Sequence, residues 1–284
     1  MVQWEYSCGL SDDQTHILHI PKNVRVGKPI RLEFTLAASH LRIVLEEGAQ
    51  AQVSETLAAP GSVSRHFEHA TEVSLAPRSS LTIVSLQNAR AGDVTISQTS
   101  RIGDDAKLHW QNVTLGGRDV THTLLSRVEG AHARSSIDWI LHASGRAHCR
   151  IEAENVFAAR GGEGEITLKG VARERAHVRM NGKIVIGEGG AGTETFLTAR
   201  ALMLDETARV DAVPALEIKT NDVRASHSAS VSRISPEDFF TFAARGISEK
   251  EARRMLVLGF LGEIVERIAD EGIRNEVLTA IGNM

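Results

Sequence analysis

Ala131-His132-Ala133-Arg134, Ala147-His148-Cys149-Arg150 and Ala176-His177-Val178-Arg179 read the same way: alanine, histidine, a small apolar residue, arginine. Looser copies stand at Ala49-Gln50-Ala51-Gln52, Ala106-Lys107-Leu108-His109 and Ala208-Arg209-Val210-Asp211. A period of two puts apolar residues on one face of an extended chain and polar residues on the other. Recurrence every roughly 15–30 residues marks one structural unit that is being stacked. Spacing alone admits a sandwich, a barrel or a parallel β-helix. The phase-locked register favours the β-helix, in which identical side chains stack above one another inside. Such a solenoid offers long surfaces and open edges rather than one deep pocket.

Outward from these phrases, strands are expected over 16–20, 30–34, 41–45, 50–55, 81–86, 94–99, 107–114, 137–141, 150–154, 165–168, 178–180 and 183–186. Turn signals separate them, among them Glu47-Gly48, Ala91-Gly92-Asp93, Gly103-Asp104-Asp105, Gly116-Gly117 and Gly161-Gly162. The pattern changes at Ser235-Pro236-Glu237-Asp238, where an N-cap, a proline and first-turn acids open a helix. Ser248 and Glu251 are spaced for a capping box. Ala252, Met255, Leu256, Gly259, Phe260, Ile264, Val265 and Ile268 then follow at helical spacing, and Ile273, Val277, Leu278 and Ile281 complete a short tail. That tail cannot hide a core of its own, so its stripes need the solenoid's end or another protein. The expected organisation is N-terminal strands or a cap over 1–40, a parallel β-helix over 41–234 and a helical domain over 235–284.

The chain has 284 residues, 42% of them hydrophobic but only 4% aromatic, which points to a core of Ala, Val, Leu and Ile. A net charge of −4 without a basic run gives no footprint for nucleic acid. No apolar run is long enough to span a bilayer, and the start lacks a secretory pattern. Two cysteines, Cys8 and Cys149, make no disulfide framework, so a cytoplasmic setting is expected.

The stretch from Ala201 to Phe260 resembles the SufB/SufD family of iron–sulfur cluster assembly proteins. The resemblance is carried by Ala201-Leu202-Met203-Leu204, Ala208-Arg209-Val210, Pro214-Ala215-Leu216-Glu217-Ile218 and Asp222-Val223-Arg224-Ala225-Ser226-His227. It continues through Arg233-Ile234-Ser235-Pro236-Glu237-Asp238-Phe239-Phe240, Ala244-Arg245-Gly246-Ile247 and Gly259-Phe260. It covers about sixty residues and weakens toward the N-terminus. It implies a right-handed parallel β-helix with a helical C-terminal domain. It implies an ABC-type ATPase, SufC, docked on those helices, with Phe239, Phe240, Arg245, Gly246, Met255, Leu256 and Phe260 as candidate contacts. It also implies pairing with a SufB-type subunit, or a second copy, through strands over 205–233. Pro214, Leu216, Glu217, Ile218, Val223 and His227 are the candidate interface. Larger members carry an N-terminal helical region that this chain is expected to lack for the most part.

His227 matches the family's histidine near the subunit junction and is the candidate ligand for iron or a transient, shared cluster; imidazole is competent for that. The SufB branch carries a cysteine where this chain has Ala199, and an acid where it has Ser228. The SufD branch lacks both groups, so the chain reads as SufD-like and is not expected to build clusters alone. Cys149 fills the apolar slot of its repeat and is expected to be a buried core residue. Cys8 lies in an undistinguished turn. His66 and His69 show metal-ligand spacing for a helix but would face opposite ways on a strand, and a solvated pair is expected. His132, His148 and His177 would form an exposed ladder beside Arg134, Arg150 and Arg179. The loop Gly187-Glu188-Gly189-Gly190-Ala191-Gly192 lacks the Lys-Ser/Thr of a phosphate cradle, so nucleotide falls to a partner.

The expected function is therefore a non-enzymatic scaffold subunit. The alternative is a carbohydrate-active β-helix lyase, which needs clustered acids holding Ca²⁺ and a basic proton acceptor in one groove. The arginine-rich phase offers bases, but no repeated acid cluster accompanies it.

Overall fold

The computed structural model describes residues 3–6, 15–35, 38–58, 66–88 and 92–282. Cys8 and Ala91 lie outside the described residues. In chain order the strands are β1 (Gln3–Tyr6), β2 (Thr15–Ile20), β3 (Ile30–Phe34), β4 (Ala38–Leu45), β5 (Gln50–Leu57) and β6 (His66–Leu75). They continue with β7 (Ser80–Gln87), β8 (Asp93–Ile102), β9 (Lys107–Leu115), β10 (Asp119–Val128), β11 (Arg134–Ala143) and β12 (His148–Phe157). The last are β13 (Glu163–Ala172), β14 (His177–Ile186), β15 (Thr193–Met203), β16 (Arg209–Ile218) and β17 (Val223–Arg233). Three helices follow: α1 (Pro236–Ala243), α2 (Glu249–Val265) and α3 (Glu271–Gly282).

Even-numbered strands from β2 to β16 form one sheet, with β1 antiparallel on β2 at its edge; odd-numbered strands from β3 to β17 form the other. All other neighbours pair in parallel, so the chain is a parallel β-solenoid that adds one strand to each sheet per turn. Asp93, Asp119, His148, His177 and Arg209 stack in one register, their partners 26, 29, 29 and 32 residues apart. The core lies between the sheets, and Ala49, Ala106, Ala133, Ala147, Ala176 and Ala208 are buried at the corners between strands. Residues with positive φ, such as Gly48, Asp105, Gly145 and Glu174, reverse the chain just before these alanines.

The expected histidine ladder needs correction here. The phrase at Ala131 is offset from the others: Ala133 is its corner residue, and His132 sits in the turn with φ +56°. Arg134 then falls on the odd-strand sheet beside Glu163, whereas Arg150 and Arg179 pair on the even-strand sheet. The histidine ladder therefore shrinks to His148 and His177, whose rings lie 6.1 Å apart, with His177 bonded to Asp211 at 3.0 Å. The core is mainly Ala, Val, Leu and Ile, as composition suggested, with Trp110, Trp139, Phe67 and Phe157 fully buried among them.

The interior of the N-terminal half carries a hydrogen-bonded polar chain. His69 bridges Ser39 (2.7 Å) and Thr71 (3.0 Å), and Thr71 donates to Glu55. Gln98 donates to Glu55 at 3.3 Å and accepts from Asn112 at 2.6 Å. His66 and His69 do face opposite ways on β6, but His69 is wholly buried rather than solvated. Burial alone would push the Glu55 carboxyl up; the bonds and charge of His69, with Thr71, outweigh it and hold Glu55 below its usual range.

The helices fold back on the outer face of the odd-strand sheet, not on the solenoid's end. Val257, Leu261, Ile264, Val265, Ile273 and Val277 pack on Leu86, Val113, Ile140 and Val171. Polar ties reinforce this cover, since buried polar groups must find partners. Lys169 donates to the Phe260 carbonyl (2.9 Å) and to Glu263 (2.7 Å), and Gln111 binds the Arg267 carbonyl and the Ala269 N–H. Asp270, almost fully buried, accepts from Arg31, Ser54 and the first N–H groups of α3. The reciprocal capping box forms at Ser235 and Asp238; at Ser248 only one arm forms, because Glu251 turns to Arg254. Among the described residues no helix is long and apolar enough to cross a membrane.

Candidate functional site

The last turn, β16 and β17, differs from every turn before it because no strand follows. Parallel partners share a face, so register shows which residues point inward. Val210, Ala212, Pro214, Leu216 and Ile218 pair with Val178, Met180, Gly182, Ile184 and Ile186 of β14. Val223, Ala225, His227, Ala229 and Val231 pair with the inward residues Thr193, Thr195, Leu197, Ala199 and Ala201 of β15. No residue of β16 or β17 is buried. Ile218 is 42% exposed and Val231 43% exposed, on a row that is dry elsewhere. Both strands also terminate their sheets, leaving a free hydrogen-bonding margin on each.

His227 is the one imidazole in that open inward row, and it lies beside Leu197 in register, two residues from the pair Ala199–Ala229. Its side chain is exposed, and it is a single nitrogen donor. Cys149, the one cysteine among the described residues, is buried in the core, where burial pushes the thiol up to about 12 and makes it a poor ligand. Among the described residues no three His, Cys, Asp or Glu side chains are grouped to hold a metal ion.

Of the other interface candidates, Pro214, Leu216 and Val223 are half-buried, and Glu217 and Ile218 are exposed. Hydrogen bonds from Lys183 and Lys219 hold the Glu217 carboxyl below its usual range. Sequence reading missed Ala229 and Val231; their period-two phase with Val223 and His227 was the available signal.

The docking candidates on the helices divide into two groups. Phe240 (74% exposed), Met255 (44% exposed), Arg245 and Gly246 face outward. Phe239, Leu256 and Phe260 are half-buried against the tail's own core. The Arg253 guanidinium covers the Phe239 ring at 4.8 Å, and Lys169 lies 5.4 Å from the centre of the Phe260 ring.

The fold and its ends define a class: a parallel β-solenoid clad on one sheet by helices, with an uncovered last turn. The model of the family described as SUF system FeS cluster assembly, SufBD core domain, matches residues 30–260, and the chain belongs to that family. It is 26% identical to the iron-sulfur cluster assembly protein SufD of Bacillus subtilis, over 93% of this chain and 62% of that protein. It is 25% identical to SufD of Escherichia coli, over 96% of this chain and 67% of that protein. A SufBD family protein of Mycobacterium tuberculosis is 29% identical over 93% of this chain and 70% of its own length. The chain thus spans roughly two thirds of these relatives and lies near SufD within the family.

Proposed function

We propose that the protein is a scaffold subunit of a SUF-type iron–sulfur assembly complex, without a catalytic constellation of its own. The observation that carries this reading is the open inward row of β16 and β17, apolar except for His227. A SufB-type subunit, or a second copy of this chain, pairs with the free strand margins and covers Ile218, Val223 and Val231. His227 then lies at the junction and contributes one ligand to iron or to a cluster that passes through. The cysteine and the acid that this chain lacks at Ala199 and Ser228 come from the partner.

A SufC-type ABC ATPase binds the outward face of the helical tail at Phe240, Arg245, Gly246 and Met255. Nucleotide is hydrolysed there, and the ATPase pair on closing shifts the two solenoids against each other and opens the junction. The setting is the cytoplasm, with no nucleic acid or membrane partner.

The test is co-purification with a SufC-type ATPase and a SufB-type subunit, with the native mass of the assembly as readout. Met255→Asp and Phe240→Asp are expected to release the ATPase while the pairing of solenoids stays intact; unchanged ATPase capture by both variants would sink the docking face. Phe260→Asp is a poor probe, because Phe260 also supports the packing of α2.

A further inference from the structure

Where the helical tail meets the solenoid there is a cavity of about 350 Å³. Small-molecule sites range from about 300 to 1,000 Å³. Its floor is made by Leu204, Val257, Ile281 and the ring of His142, all buried. Arg173, Lys250, Arg253 and Arg254 stand around it with one acid, Glu249. This positive charge is local, since the tail as a whole holds more Asp and Glu than Lys and Arg.

Part of that charge is already engaged. Arg253 is held by Asp205 and Glu249, and Arg254 by Glu251. Lys250 is exposed and makes no ion pair among the described residues. His142 is 4% exposed, and its Nε2 has no hydrogen-bond partner among the described residues. Burial, and then the charge of Arg173, lower its pKa to about 4, so the ring is neutral at ordinary pH. The site therefore joins a dry floor with a neutral, unsatisfied imidazole to a mouth of cations. A bare inorganic anion would leave the floor wet. A neutral hydrocarbon would leave the Lys250 ammonium unanswered.

We propose that this cavity binds a small monocarboxylate with an apolar body, its carboxylate at Lys250 and its body against Leu204, Val257 and Ile281. The walls come from β11, the segments after β13 and β15, α2 and α3, so an occupant ties the tail to the solenoid and stabilises the folded chain by mass action. The site stands apart from the scaffold reading and survives if that reading fails.

Octanoate is the probe, with 1-octanol and inorganic phosphate as controls, on the full chain by titration calorimetry and thermal melting. Octanoate is expected to bind saturably at one site and to raise the melting temperature, while neither control does so at the same concentration. Lys250→Glu, an exposed change, is expected to melt like the parent when empty and to bind octanoate about tenfold more weakly, the loss of one charge-assisted bond. Absence of saturable octanoate binding, equal binding of phosphate, or unchanged affinity in Lys250→Glu overturns the proposal. If octanoate fails to bind but Lys250→Glu weakens capture of the ATPase, the cavity is a socket for a protein and the proposal falls as well.

Discussion

β14 and β16 begin with the same kind of phrase, Ala176-His177-Val178-Arg179 and Ala208-Arg209-Val210-Asp211, and stand next to each other in one sheet. On β14 the residues Val178, Met180, Ile184 and Ile186 are fully buried. Their partners on β16, Val210, Ala212, Leu216 and Ile218, are half-buried or exposed. Chemistry and local conformation match; what differs is that β14 has a strand on both sides and β16 on one. A repeated unit is thus buried by its neighbours rather than by itself, and the last copy is left with an uncovered inward row.

The largest effect should come from placing one charge at the two ends of this comparison. Ile186→Asp buries an unpaired carboxylate and should cost more than about 4 kcal/mol, most of a domain's margin, seen as loss of cooperative unfolding by circular dichroism. Ile218→Asp should leave the free energy of unfolding within about 1 kcal/mol of the parent while abolishing pairing with the partner solenoid in native mass measurements. Equal destabilisation by both would break the comparison.

Next in size is the contrast between the helix-covered sheet and the bare last turn. Leu261, fully buried on the inner face of α2, should cost about 2–5 kcal/mol when changed to Ala, with the helical tail becoming the first site of protease cleavage. Arg31→Ala removes the bidentate partner of Asp270 and should loosen the same tail by a smaller amount; an unchanged cleavage pattern in both would detach the tail from the core.

A pH titration sharpens the contrast between the polar interior and the open end. Burial lowers His122 to about 3 and His142 to about 4. The unfolded chain takes up these protons near about pH 6.5, so stability should fall as pH drops from there toward 4. Glu55, held low in the folded state, should add to the loss as pH falls through the carboxylate range. His142→Leu should flatten the upper part of the melting curve against pH; an unaltered slope would remove that histidine from the account.

The smallest effect on stability is expected at the exposed His227. His227→Ala should stay within about 0.5 kcal/mol of the parent, yet reduce the iron retained by the assembled complex. Full retention would exclude His227 as a ligand.

Much of this architecture was legible before the fold was known. The Ala-led phrases announced stacked strands, Ser235 and Ser248 announced the helix starts, and Cys149 could be placed in the core from its slot in the repeat. The strands β6, β10 and β15 went unread for a physical reason. Their inward positions include His69, Thr71, His122, Ser126 and Thr195, and polar residues inside a solenoid erase the apolar alternation that marks a strand. The fate of the docking candidates was equally hidden. Phe239 and Phe260 look like free aromatics in sequence, yet Arg253 and Lys169 cover them from other elements.

By itself the sequence determined what acts over a few residues: the period of two, the corners with their alanines, the helix caps and the family to which they point. Only the tertiary structure decided which apolar faces are dry. It put the tail on the outer face of one sheet, tied Asp270 to Arg31 across nearly the whole chain, and left His227 in an uncovered row. Burial depends on what lies above a residue, and in a solenoid that neighbour is a full turn away and, at the last turn, is not supplied by a following strand.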